Sequence, residues 1–460
     1  MKSTLFDLQP WLSAAAATAD AEFDGVSTDS RKVAPGNLFV ALRGEHFDAH
    51  AFLEQVEAQG AAAAVVERLP IDSKIPALVV PDTRIALAEI ARHWRRQFSV
   101  PVIGVTGSNG KTTVKEMIAA ILAVAVGKHQ FLATSGNLNN DIGVPLTVLR
   151  LDGSCRVAVI ELGMNHPGEI AVLAGIAEPT LGLVNNAQRE HQEFMANVEA
   201  VAKENGAVLS GLPANGIAVF PADDPFTPLW REYAGNVGRR TITTFGLSAD
   251  ADVTCSYQLQ KFGSDLVIKT SKHQFPVHLS AAGLHNIRNA LAAAACTLAI
   301  GIQPEAVMRG LESFAPVSGR LQQKTSRIGS LVIDDTYNAN PDSVRAAIDV
   351  LANASAPRVL VLGDMGEVGD DGRKFHEEIG AYAHGRGIEH LFTLGDQARH
   401  CSSAFGVRAA HYDDIEHLKQ AVDDILTPAT TILIKGSRFM KMERVVQHLL
   451  GQPVLQQESH

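Results

Sequence analysis

The chain reads as an α/β protein of three domains, and three observations predict it. Short apolar strands alternate with helical patterns along most of its length, the signature of parallel sheets. A glycine-rich turn, TGSNGKTT at residues 106–113, directly follows the apolar run Pro101-Val-Ile-Gly-Val105. The string Ala315-Pro-Val-Ser-Gly319 then breaks the alternation as a linker, and a second α/β pattern starts beyond it. A length of 460 residues also suggests about three domains. The expected units are a small mixed α/β domain at 1–98, a central doubly wound phosphate-loop domain at 99–316 and a Rossmann-like domain at 317–460.

In the first unit, Leu5, Leu8 and Leu12 suit a short amphipathic helix, residues 38–41, 62–66 and 77–80 read as strands, and 85–97 as a closing helix. In the second, the helix after the glycine turn shows one apolar face through Val114, Met117, Ile118, Ile121, Leu122 and Ala125. Strands are expected at 157–161, 180–185 and 217–220. Alternation within 241–280 predicts antiparallel strands added to the same sheet, followed by helices at 285–300 and 304–313. The third unit has strands at 331–334, 358–362, 390–394 and 431–434.

Composition excludes several classes. The formal net charge of −10 argues against general nucleic-acid binding. No apolar run approaches the roughly 18 residues of a membrane helix. The alanine-rich stretch near the N-terminus, preceded by Asp7, Gln9 and Pro10, is too weakly apolar for a signal peptide. Cys155, Cys255, Cys296 and Cys401 form no CxxC pair and read as thiols of a reducing compartment. A cytoplasmic monomer is expected.

Strand, glycine loop, Lys-Thr and helix together build a phosphate cradle. Backbone N–H groups and the helix end face the anion, and Lys111 adds a point charge. Thr112 stands where such loops ligate Mg²⁺. The loop is shorter than the usual phosphate-loop pattern, since Val105 stands where that pattern has a glycine. A nucleoside triphosphate is the expected ligand.

Glu161 ends a buried strand beside the loop, either as a Mg²⁺ ligand or as a surface cap. His191 follows the next strand, as a ligand or a structural histidine. Lys203, twelve residues on, is by itself a solvated lysine. In His285-Asn-Ile-Arg-Asn289, Asn286 and Asn289 share a helix face, either reading an adenine edge or capping the helix. Asp334-Asp-Thr-Tyr-Asn-Ala-Asn-Pro341, Leu362-Gly-Asp-Met-Gly-Glu367 and Lys435-Gly-Ser-Arg438 each follow a strand of the third unit and open on one sheet edge.

In this order the segments resemble the Mur ligase family of amide-forming enzymes, over essentially the whole chain. The short TGxNGKT loop is that family's form. The strings DDTYNANPDS, VLGDMGEVG and KGSRFMKME resemble the branch that adds D-alanyl-D-alanine, and the DNPR string typical of the branch adding diaminopimelate or lysine is absent. The resemblance implies ATP, two Mg²⁺ ions, and UDP-N-acetylmuramoyl-tripeptide and D-alanyl-D-alanine as partners. It places ATP against Thr106, Gly107, Ser108, Asn109, Gly110, Lys111, Thr112 and Thr113, with Asn286 and Asn289 at adenine and Arg320 and Asp335 approaching from the third domain. It gives metal roles to Thr112, Glu161 and His191, and implies a carbamylated lysine that Lys203 matches by order and spacing. Around His191, NNAQREHQEFM departs from the family's NIxxAHxxxFG. For the muramoyl nucleotide it implies Ser27, Asp29, Ser30, Arg31 and the Arg43-Gly-Glu-His46 string, then Ser135, Asn137, Asn139 and Asn140. For the third-domain end of the site it implies Tyr337, Asn338, Asn340, Lys435, Ser437 and Arg438. Two alternatives stay open: a sister ligase adding one amino acid or glutamate to folate, and a phosphate-loop ATPase switch without ligase activity.

Overall fold

The structure, a computed structural model, describes residues 1–45, 47–235 and 238–452. The first domain is a five-stranded mixed sheet. Ala16–Ala17 pairs antiparallel with Ala77–Val79, and Ala63–Val66, Leu38–Val40 and Val26–Ser27 follow in parallel. The leucine pattern makes an α-helix only over Leu5–Leu8, then a 3-10 turn over Gln9–Trp11. Pro10 has no N–H to continue the α ladder, yet all three leucines are buried. Helix Thr83–Arg95 starts earlier than its apolar pattern suggests, because Asp82 caps it by accepting from the Arg84 and Ile85 N–H groups.

The central sheet has six parallel strands in the order Thr241–Phe245, Ile217–Pro221, Leu181–Val184, Val102–Thr106, Val157–Glu161, Phe131–Ala133. Side chains alternate between its faces. Ile103, Val105, Val157 and Val159 join the core with helices Lys111–Ala125 and Leu284–Ala299. Val102, Ala158 and Ile160 join the core on the other face, with Val201 and Trp230. The strand order reverses at Val102–Thr106, so the glycine loop lies at the topological switch point.

One expectation needs correction. Only Thr241–Phe245 of the 241–280 segment joins the sheet, and it does so in parallel. Thr254–Gln260, Gly263–Lys269 and Gln274–Leu279 form a separate three-stranded antiparallel sheet. Its inward residues Leu266, Ile268, Val277 and Leu279 are buried in the core with the alanine-rich helix. The alternating pattern reported a half-buried sheet correctly but could not say which sheet it joined.

In the third domain, five parallel strands run Leu331–Asp335, Thr431–Lys435, Arg358–Gly363, His390–Leu394, Ala409–Tyr412, with Gln322–Thr325 antiparallel at the edge. Asp335, Lys435 and Gly363 therefore end side by side, and the three loops noted in the sequence open together. Cys296 and Cys401 are buried, Cys155 and Cys255 half-buried, and all four are free thiols.

Candidate active site

The glycine loop is shaped by its surroundings. Gly110 begins helix Lys111–Ala125 at φ 83°, and a Cβ there would stand 2.5 Å from Asn289 Oδ1 and 2.8 Å from Asn185 Nδ2. The Gly107 N–H donates to Asn205 Oδ1 at 2.9 Å and the Asn109 N–H to Asn186 Oδ1 at 2.9 Å. Lys111 Nζ folds over the loop, donating to the Gly107 carbonyl at 2.5 Å and the Ser108 carbonyl at 3.3 Å. Thr106 lies beneath, its hydroxyl on the Leu183 and Asn205 carbonyls. Thr106 and Gly107 thus build the base of the loop, while Ser108, Asn109, Gly110, Lys111, Thr112 and Thr113 line a cavity of about 1200 Å³.

Thr112 Oγ1 donates to Glu161 Oε1 at 3.0 Å, and Asn139 Nδ2 donates to the same oxygen at 2.9 Å. Glu161 is 2% exposed, and its Oε2 is buried without a hydrogen-bond partner. A buried carboxylate oxygen left unpaired costs free energy unless something cationic completes it. Thr112, Glu161 and the open cavity beside them offer hard oxygen donors, which fit Mg²⁺. Among the described residues, no three His, Cys, Asp or Glu side chains converge as a ready-made metal cage. A Mg²⁺ site that draws on phosphate and water does not require one.

His191 sits at φ 49°, its Nδ1 2.6 Å from Glu367 Oε2 across the domain boundary. The imidazole at that distance holds the Glu367 carboxyl below its usual range. Glu190, 6% exposed, lies 3.5 Å from Lys111 Nζ. Asn286 and Asn289 are both buried and face the cavity. Asn289 Nδ2 donates to Asn286 Oδ1, and Asn185 Nδ2 to Asn289 Oδ1. Neither caps the helix, because Gly283 holds the cap position. His285 also lines the cavity, and burial pushes its imidazole down to about 4.

The third domain reaches into the same cavity. Arg320 Nη2 donates to Thr112 Oγ1 at 2.9 Å while its guanidinium lies 4.1 Å from the Tyr337 ring centroid. Lys435 Nζ donates to Asp335 Oδ2 at 2.6 Å and to the Asn338 carbonyl at 2.8 Å. Asn340 Nδ2 donates to Asn109 Oδ1 at 2.9 Å, joining the third domain to the glycine loop. Asn137, Asn139 and Asn140 complete one wall.

Several sequence expectations do not meet here. Lys203 is the main correction: its side chain is 53% exposed and paired with Glu199 at 2.7 Å. On helix Val198–Ser210 the residue facing the loop is Asn205, two positions on, because that step crosses from the solvent side to the buried side. Ser437 is buried on the Asp364 carbonyl, and Arg438 pairs with Glu443, neither lining the cavity. Ser135 accepts from Arg150, also outside it. Ser27, Asp29, Ser30 and Arg31 form a separate turn in the first domain, where Arg31 forks onto Asp29 and holds its carboxyl down at about 2. The Arg43 backbone forms an isolated antiparallel β-bridge with that of Asp48, and His46 lies outside the described residues.

Sequence reading missed Glu190, Asn185, Asn205 and Arg189. All stand within or beside strings that drew notice, but their partners come from loops and helices distant in the chain. Arg189 grips Asp342 at 2.6 Å and Glu378 at 2.8 Å from the third domain, its guanidinium 5.3 Å from the Phe375 ring centroid.

Comparison with known proteins settles the family. The family models described as Mur ligase family catalytic domain, Mur ligase middle domain, and Mur ligase glutamate ligase domain match residues 22–95, 105–297 and 319–438. The chain is 42% identical to UDP-N-acetylmuramoyl-tripeptide–D-alanyl-D-alanine ligase of Escherichia coli K12, over 97% of this chain and 98% of that one. It belongs to the Mur ligase family. Among solved structures, MurF from Acinetobacter baumannii aligns with a TM-score of 0.91 at 34% identity, covering 98% and 99% of the two chains. The Thermotoga maritima MurF ligase, solved in complex with ADP, aligns at 0.82 and 27%, covering 93% and 97%. This Mur ligase chain is a nucleotide-binding, ATP-dependent ligase.

Proposed function

We propose that this chain joins D-alanyl-D-alanine to UDP-N-acetylmuramoyl-tripeptide at the expense of ATP, a step of peptidoglycan precursor synthesis. The observation that carries the reading is the single cavity in which the glycine loop, Glu161 and the loop ends of the third domain meet. Relatives of that activity, aligned along nearly the full chain, support it.

In the first step a carboxylate oxygen of the tripeptide bonds to the γ-phosphorus and ADP leaves, giving an acyl phosphate. In the second, the dipeptide amine bonds to the acyl carbon, phosphate departs, and the amine loses a proton. Two anions must meet in the first step, so positive charge and positioning carry the rate. Lys111 and the N-terminus of helix Lys111–Ala125 supply fixed positive potential at the phosphates. Thr112 and Glu161 would hold Mg²⁺, which neutralises phosphate charge when bound, and His191 would face a second ion. Asn286 and Asn289 present buried amides for the adenine edge. Arg320, Asp335, Tyr337, Asn338, Asn340 and Lys435 close the cavity from the third domain and exclude water from the acyl phosphate.

The domains at 1–98, 99–316 and 317–460 divide the work. The first would hold the uridine nucleotide through the Ser27, Asp29, Ser30, Arg31 turn and Arg43, the second ATP, and the third the dipeptide. Among the described residues no helix is long and apolar enough to cross a membrane. We propose further that it acts as a monomer in the cytoplasm, where ATP is supplied. The deciding experiment measures phosphate release from ATP with each substrate alone and with both. Release only with both, with a product heavier by the dipeptide, is expected. Release indifferent to either substrate would leave a generic ATPase.

A further inference from the structure

We propose that Glu190 supplies the anionic ligand for a divalent cation beside His191, the role the family resemblance implied for Lys203. The proposal rests on the ATP reading of the cavity.

Glu190 lines the cavity at 6% exposure, and its Oε1 is buried with no hydrogen-bond partner. Its other oxygen lies 3.5 Å from Lys111 Nζ and 3.7 Å from His191 Nε2. Lys111 is already engaged with the loop carbonyls of Gly107 and Ser108, and in the ATP reading it also serves the phosphates. A second positive charge is therefore needed to offset a carboxylate this deeply buried.

His191 is prepared to share that charge. Its Nδ1 stands 2.6 Å from Glu367 Oε2 on one side and its Nε2 3.7 Å from Glu190 Oε2 on the other. A carboxylate on the far nitrogen is the usual support of a metal-binding imidazole, because it orients the ring and raises its basicity. Neighbouring ligands of one Mg²⁺, each at about 2.1 Å, lie about 3 Å apart. The observed 3.7 Å closes to that with a side-chain shift below about 1 Å. Phosphate oxygens and water would fill the other positions, in keeping with how Mg²⁺ binds.

Helix Val198–Ser210 offers no free anion, since both carboxylate oxygens of its buried Glu204 accept from the Gly168 and Ile170 N–H groups. Lys203 is its one lysine and lies on the solvent side, paired with Glu199. The loop-facing position is Asn205, whose amide cannot form a carbamate and whose Oδ1 already accepts from Gly107.

The test uses the full chain, Mn²⁺ as probe and a non-hydrolysable methylene analogue of ATP, with bound Mn²⁺ counted by electron paramagnetic resonance. Wild type is expected to bind two Mn²⁺ with the analogue. Glu190→Gln should still bind the analogue, which shows that it is folded, but hold the second Mn²⁺ at least tenfold more weakly. Glu190→Asp should fall between, and Lys203→Met should keep both ions in carbon-dioxide-depleted buffer. Glu190→Gln retaining both ions at wild-type affinity, or Lys203→Met losing one, overturns the proposal. A wild type that binds the analogue with a single Mn²⁺ overturns the proposal alone. A wild type that does not bind the analogue overturns the ATP reading and the proposal with it.

Discussion

The two joints between domains are built from opposite materials. At the first, a continuous apolar core runs from Leu5, Leu8 and Leu87 of the first domain into Val148, Ile170 and Leu173 of the central one. Arg95, 5% exposed, is sunk into that joint with its guanidinium on the Ala177, Phe98 and Val100 carbonyls. At the second, the apolar cores of the central and third domains stay separate, apart from Phe262 leaning on the latter and Val317 on the former. Arg189, Asp342, Glu378, Asn109, Asn340, His191 and Glu367 make that contact instead. An apolar joint resists opening because exposing it is costly, whereas a polar joint can exchange its partners for water or ligand. The difference makes the first joint the stiffer one and the second the one whose contacts can be exchanged.

The largest effect is expected from breaking the rigid joint. Arg95→Met strands several buried carbonyls and should cost about 4 kcal/mol, seen as a clear fall in unfolding temperature. Next comes acid. The His285 imidazole, beside Asp335 and Lys435 at the second joint, is lowered from 6.5 to about 4, chiefly by burial. Its folded form therefore prefers to be neutral, so its stabilising contribution is complete above pH 6.5 and is lost as pH falls toward 4. The loss is roughly 3 kcal/mol at most, less for whatever contact the ring keeps with solvent. His285→Gln should flatten the stability profile across that window, and an unchanged slope would refute the assignment.

Arg189→Met sharpens the comparison, since it loosens only the polar joint. The Michaelis constant for ATP should rise about tenfold with the unfolding temperature almost unchanged. A large fall in unfolding temperature instead would make the second joint structural like the first. The smallest effect is expected for Asn289→Ala, which removes neutral hydrogen bonds and should raise the Michaelis constant for ATP by roughly three- to tenfold. Turnover at saturating ATP should hold.

Local chemistry was legible in the chain. The glycine loop, the apolar stripe Val114 to Leu122 and the strand ending in Glu161 depend on neighbours in sequence, and each took its expected form. The strand ends that carry Asp335 and Lys435 were readable for the same reason, and parallel pairing then set them side by side. Lys203 was misread because order and spacing locate a residue along a helix without saying which side is buried. Glu190 and Arg189 were passed over because a charged residue next to a histidine looks solvated until a neighbouring domain removes the water.

The sequence by itself determined the glycine loop between strand and helix, the domain count and the family, because these rest on periodicity, glycine conformation and contiguous strings. Only the tertiary structure decided which carboxylates lie buried and uncompensated, which lysine faces solvent, and which domain joint is polar. Burial and charge pairing arise from residues that meet only when distant segments pack, so no local pattern encodes them.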